Sequence, residues 1–329
     1  MRSRSLLLSF FAFFNLGGIP FEKVVIWGHK LHSHTHSYIH NAFFRAFEHL
    51  GHQTFWFDNN DDTKNFDFGN SLFLTEGQVD QNIPLREDCF YILHNCDLTK
   101  YKKLFEKNRC IILQVYTDDV LTRAGCEKIA PFMYYDVSQK IAYMPWATDL
   151  LPHEIDEIKS QLPDKKKRPI VNWVGSIWGG EYGNIDEIQP FKKACHENGI
   201  NFQQKRVISP EENIRLIRES YMAPAIVGTW QKNKGYIPCR IFKNISYGHP
   251  GITNSRHVYE LFEKKIIYNP DTYRLFYDAQ KRMAEISLPE IYDLMDFVKT
   301  KHTYINRIQT LLDFFGLVQK AGNAQETEL

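Results

Sequence analysis

Hydrophobic and polar positions alternate in blocks along the chain, and the period of the pattern changes from block to block. "KVVIWG" (Lys23–Gly28) is a β-branched run closed by glycine, which predicts a buried strand followed by a turn. Beyond it the apolar positions are Ile39, Ala42, Phe43, Ala46, Phe47 and Leu50, the three-and-four spacing of an amphipathic helix that Gly51 closes. "QTFWFD" returns to a strand pattern. Strand, loop, helix and strand in about 35 residues make a βαβ unit and call for a parallel sheet. "SLFLTEG", "CFYILHN" and "CIILQVY" add three strands.

The pattern breaks over Ile141–Ile155, where Pro145 and Pro152 interrupt it, and the charged "DEIKSQLPDKKKRP" follows with no core face. A second series then opens with "PIVNWVG", a strand ending in Gly175. "IDEIQPFKKACHENGI" reads as a helix, "NFQQKRVI" as a strand, and "SPEENIRLIRES" as a helix capped by Ser209 with Pro210 at its first position. "APAIVGTW" and "PGITN" read as strands, with the helix "CRIFKNISYG" between them. "LPEIYDLMDFVKTKHTYINRIQTLLDFFGL" is strongly helical. The expected architecture is α/β, with two Rossmann-like domains at residues 22–150 and 169–315. An apolar extension (1–21) precedes them, a linker (151–168) joins them, and a polar tail (316–329) reads as disordered.

Composition narrows the function classes. A chain of 329 residues favours two cores over one. Lys plus Arg (40) and Asp plus Glu (39) nearly cancel, so no general nucleic-acid partner is expected and any basic site is local. Cys89, Cys96, Cys110, Cys126, Cys195 and Cys239 form no CxxC and no zinc spacing, which points to free thiols and a cytoplasmic location. Arg2 and Arg4 ahead of the apolar run Leu6–Leu16 give an alternative, export or membrane association, although that run is too short to span a bilayer. Oligomeric state is not legible.

Candidate chemistry concentrates in "WGHKLHSHTHSYIH", which holds His29, His32, His34, His36 and His40, five of the thirteen histidines. An extended "HSHTH" points His32, His34 and His36 to one side. No Asp, Glu or Cys in the segment completes a metal site, whereas imidazole titrates near neutrality and suits proton transfer. "YTDDV" offers Asp118 and Asp119 as a metal-binding pair of secondary weight.

Three stretches, "IWGHKLHSHTHSYIHNAFFRAFEHLG", "GYIPCRIFKNISYGHPGITNSRHVYELF" and "HTYINR", together resemble the GT-B glycosyltransferases, in particular bacterial and viral members and the CgeB-like spore-maturation group. The resemblance implies two Rossmann-like domains facing each other across a cleft. A nucleoside-diphosphate sugar would sit on the second domain and a glycan or other hydroxyl acceptor on the first. It implies hexosyl or deoxyhexosyl transfer without a required metal or a tightly bound cofactor.

On the donor side it implies Gly175, Ser176, Trp178, Tyr236, Arg240, Lys243, Asn254 and Ser255. On the acceptor side it implies Gly28, His29, Lys30 and His36, with His32, His34 and Lys243 catalytic. Arg240 suits bidentate phosphate contact, and Lys243 suits neutralising the leaving group. His302, Tyr304 and Arg307 are expected to brace the domains. One departure stands out. The two glutamates many retaining members carry ahead of this turn are Gly235 and Lys243 here, so Glu260 becomes the candidate for the ribose. That departure motivates one rival reading, an inactive carbohydrate- or nucleotide-binding module, and the histidine cluster motivates another, a metal-dependent hydrolase.

Overall fold

The structure, a computed structural model, describes residues 19–117, 120, 125–162 and 167–327. The apolar run Leu6–Leu16 and the pair Asp118 and Asp119 lie outside the described residues.

The first half is built on one eight-stranded sheet. β1 (Lys23–Trp27), β2 (Gln53–Phe57), β3 (Ser71–Glu76), β4 (Phe90–His94), β5 (Cys110–Gln114) and β8 (Ile141–Tyr143) run parallel in the order β2-β1-β3-β4-β5-β8. β7 (Met133–Asp136) and β6 (Glu127–Ala130) extend it antiparallel. Every residue of β3 and β4 is buried, including the polar Ser71, Thr75, Glu76 and His94, as expected of central strands covered on both faces. α1 (Ser37–His49) lays Phe43 and Phe47 on one face of the sheet, and each such ring contributes about 1.5–3 kcal/mol by leaving water. The chain turns out of α1 at Gly51, whose φ of 85° lies in the left-handed region. α2 (Leu98–Glu106) covers the opposite face together with Phe66 and Phe68.

The second half carries two short parallel pairs, β9 (Ile170–Val174) with β10 (Asn201–Lys205) and β11 (Ile252–Thr253) with β12 (Ile267–Tyr268). Residues 221–225 join the pairs. Tyr221 N–H donates to Ile170 O at 2.7 Å, and Ala225 N–H to Ile252 O at 2.8 Å. The strand expected in "APAIVGTW" therefore shrinks to one bridge, because Pro224 has no N–H to offer a ladder. α4 (Ile185–Glu197) and α9 (Thr272–Glu285) pack on this sheet. α5 (Pro210–Glu219) starts as its sequence spells, with Ser209 Oγ accepting from Glu212 N–H at 3.2 Å.

Two segments differ from their sequence reading. The stretch taken as a solvated linker forms α3 (Pro152–Ser160), and Ile155 and Ile158, three apart on one helix face, are buried in the second core. The polar tail continues α11 (Tyr304–Thr327), because Phe314, Phe315 and Val318 bury against the first half and hold the helix through its polar end. Composition reports charge, and these few apolar positions decide the packing.

α11 returns from the second half to the first and braces both. Arg307 is 1% exposed. It donates to Pro145 O at 2.7 Å and Trp146 O at 3.0 Å, and its Nη2 lies 2.9 Å from Nδ1 of His302. The hairpin of β6 and β7 adds a second tie that the sequence did not suggest, since Phe132 at its tip packs into the core of the second half. Among the described residues, no helix is long and apolar enough to cross a membrane.

Candidate active site in the cleft

A cavity of about 600 Å³ lies where the C-terminal ends of β1 and β9 meet. In open α/β sheets this is where ligands bind. The first half lines it with His32, His34, Tyr38 and Asp149, and α11 adds Tyr304. From the second half come Gly175, Ser176 and Trp178 after β9, and Arg206, Ser209 and Asn213 around the start of α5. α7 (Cys239–Ser246) contributes Arg240 and Lys243.

Local sequence places the cationic pair. Pro238 fixes the turn into α7, and Arg240 and Lys243, three apart, share its cleft face. Arg240 Nη2 donates to Val174 O at 2.9 Å, and its guanidinium carbon sits 3.8 Å over the Trp173 ring. Gly175 is required beside it: φ is 129°, and a Cβ there would fall 2.5 Å from Arg240 Nη2. Lys243 Nζ pairs with Asp149 Oδ2 at 2.8 Å. Burial works against that ammonium, but the Asp149 carboxylate outweighs it and holds the lysine above its ordinary value. Tyr247 also donates to Asp149, at 2.7 Å to Oδ1.

The histidine segment is turned rather than extended. His32 has φ 72°, and Ser33 N–H closes a turn onto Lys30 O at 3.0 Å. The turn sends the side chains apart. His32 and His34 line the cavity, while His36 points inward. Behind them stands Glu76, 1% exposed at the end of β3. Its oxygens lie 3.2 Å from His29 Nε2 and 3.5 Å from His36 Nδ1, as ion-pair contacts without standard hydrogen-bond geometry. Burial raises the Glu76 carboxyl, yet His36, His29 and His40 pull it net below the usual carboxylate range. Burial pushes His29 and His34 down, and takes buried His40 to about 3 and His94 to about 4. Among the described residues, no group of three or more His, Cys, Asp or Glu side chains is placed to hold a metal ion.

Of the residues singled out from sequence, the cavity brings together His32, His34, Gly175, Ser176, Trp178, Arg240 and Lys243. Others lie elsewhere. His29 and His36 form the layer behind the wall, and Gly28 packs under His40, 2.3 Å from where a Cβ would fall. Lys30 turns to the sheet edge and pairs with Asp61 at 2.9 Å. Tyr236 packs on Tyr116. Asn254 holds Val227 through both backbone groups at 3.0 Å, and Ser255 caps α8 (Arg256–Leu261). Glu260 lies on the exposed side of α8, 2.7 Å from Arg256, and lines a separate shallow pocket with His257 instead of the cleft. Sequence reasoning missed Asp149, Glu76, Tyr38 and Arg206. An acid ending the strand pattern "SLFLTE" was the available signal for Glu76.

Compared by sequence, the chain matches no family model and no curated protein. Compared by structure, it is similar to an α-glucosyltransferase in complex with UDP, with TM-score 0.53 and 10% identity over 89% of this chain and 99% of that one. It is likewise similar to an α-glucosyltransferase in complex with UDP and a 13-mer DNA containing an HMU base, with TM-score 0.52 and 10% identity over 89% and 98% of the chains. The fold is GT-B: two Rossmann-like halves facing each other across a cleft.

Proposed function

We propose that the chain is a glycosyltransferase moving a sugar, a hexosyl or deoxyhexosyl unit, from a nucleoside-diphosphate sugar to a hydroxyl acceptor. The observation that carries this reading is the cavity wall itself. Two cations on the first turns of α7 face two imidazoles across a space large enough for a nucleotide sugar. Arg240, Lys243 and Arg206 against Asp149 leave the cleft with a positive balance that suits a diphosphate, and the N-terminus of α7 adds to it. In the reaction the bond between the anomeric carbon and the diphosphate breaks as a bond to the acceptor oxygen forms. The hydroxyl proton passes to a cleft imidazole, and Lys243 with Arg240 stabilises the departing diphosphate without calling on a divalent ion.

The similar α-glucosyltransferase structures hold UDP, which supports a uridine donor, and one of them also holds DNA. A formal net charge of +1 supplies no general basic surface for a duplex, so a glycan acceptor is the reading favoured here. The CgeB-like group is the favoured subfamily, on the "GYIPCRIFKNISYGHPGITNSRHVYELF" stretch. A cytoplasmic location belongs to the same reading, supported by cysteines whose spacing suggests no disulfide framework.

The absence of the paired glutamates supports a second reading, a module of the same fold that binds a nucleotide without turnover. Release of nucleoside diphosphate from a panel of UDP-, GDP-, CDP- and ADP-sugars, with glycan acceptors, separates the two. Release from one donor that is lost in an Arg240→Ala/Lys243→Ala variant supports transfer. Binding with no release from any donor supports the module.

A further inference from the structure

The two imidazoles that face the cavity are not equivalent. His34 Nδ1 accepts a hydrogen bond from the backbone N–H of His36 at 3.3 Å. A backbone amide only donates, so Nδ1 must carry the lone pair, and the neutral ring then carries its proton on Nε2. The setting of that ring is fixed from behind. It stacks on His29 with centroids 4.2 Å apart and meets the edge of His36 at 5.2 Å. His29 and His36 are in turn held by the two oxygens of buried Glu76. His32 differs. Its Nδ1 lies 3.1 Å from Tyr38 Oη, a hydroxyl that donates or accepts, so His32 can give its Nδ1–H to Tyr38 and keep a lone pair on Nε2.

We infer that the cleft histidines divide the work: His34 is an N–H donor to an oxygen of the bound substrate, and His32 alone is the base. The base assignment rests on the glycosyl-transfer reading; the tautomer of His34 does not. A neutral ring with its proton on Nε2 has no lone pair left for an acceptor hydroxyl, because Nδ1 is already engaged. It can only donate, to an oxygen of the diphosphate. The surroundings keep the ring neutral. Burial lowers its basicity first, His29 and His36 add to that, and Glu76 opposes them. Across the cavity stand Arg206, Arg240 and Lys243, with Asp149 as the facing carboxylate, so the balance of charge also disfavours an imidazolium.

The test is a long-range ¹⁵N–¹H spectrum of the uniformly labelled full chain, with His34→Gln identifying the His34 signals by their loss. The inference expects an unprotonated Nδ1 and a protonated Nε2 on His34 between pH 6 and 8. A proton on Nδ1, or a doubly protonated ring at pH 7, overturns it, whether or not the chain turns over any sugar. Substitution gives a second readout. His34→Gln retains an N–H donor, so it should keep UDP affinity near wild type and leave the acid limb of the pH–rate profile in place. His34→Ala should lose about tenfold in UDP affinity, and His32→Gln should lose the acid limb. Loss of that limb in His34→Gln contradicts the assignment.

Discussion

Lys243 and Asp149 close an ion pair between the two halves of the molecule, Nζ to Oδ2 at 2.8 Å, with each side chain less than a sixth exposed. The carboxylate keeps the ammonium charged and aimed into the cleft, and it also opposes any anion that enters. Asp149→Asn separates these effects. The amide still accepts from Tyr247 but brings no negative charge, so UDP should bind about three- to tenfold tighter at low salt, with the gain fading as salt rises. The fold should lose about 1–3 kcal/mol because Lys243 keeps a weaker partner. Calorimetric titration and denaturant melts measure both.

Lys243 and Arg240 should fail in different ways. Arg240 is pinned to Val174 O and to the Trp173 face before any ligand arrives, so it is preorganised for the ground state. Arg240→Ala should therefore raise KM and weaken UDP binding. On the proposed reading Lys243 meets the charge that grows as the sugar departs, so Lys243→Ala should lower kcat by about 10²- to 10³-fold with UDP affinity less affected. Steady-state kinetics with the competent donor decide between these outcomes.

How much of this was legible in the sequence depends on how local each interaction is. β1, α1 and β2 were readable because each carries its own periodicity, and Ser209 with Pro210 announced α5 by local chemistry. Arg240 and Lys243 were found through the resemblance carried by the "GYIPCRIFK" stretch, and Pro238 fixes the helix on which they sit. Glu76 meets the histidines only because β3 pairs with β1, Thr75 opposite Trp27, a register that no segment encodes by itself. Asp149 is placed by a crossing segment held from Tyr247, 98 residues away. Glu260 shows the opposite failure. Its stretch was singled out, but the face it presents was set by packing, and the side chain points away from the cleft.

Acid should destabilise the chain earlier than carboxylate titration alone predicts. His40 and His94 are held neutral by burial, with values of about 3 and about 4 against 6.5 when unfolded. Because the folded values are depressed, their contribution is intact above pH 6.5 and is lost as pH falls from there toward the folded values. Each group should cost about 1.4 kcal/mol per pH unit within that window. Denaturant midpoints at pH 7.0, 6.0 and 5.0 should fall steadily, and His94→Asn should flatten the slope by roughly half of the two-histidine effect.

The brace at Arg307 should be among the most sensitive positions away from the cleft. Arg307→Ala removes a buried cation that donates to Pro145 O and Trp146 O, and leaves those carbonyls and the end of α10 (Leu288–Lys301) without partners. A loss of about 3 kcal/mol or more is expected, and Arg307→Lys should not restore it because one ammonium cannot span the same acceptors. Thermal melts of both variants check this.

The central claim is that residues of α7 hold a nucleoside diphosphate in the cleft without a metal. Calorimetric titration of UDP, GDP, CDP and ADP into the full chain in EDTA tests it most directly, repeated with Arg240→Ala/Lys243→Ala. The account predicts saturable binding of one of these nucleotides in EDTA and its loss in the double variant. Binding that appears only when Mg²⁺ or Mn²⁺ is added, or that survives the double substitution unchanged, would contradict it.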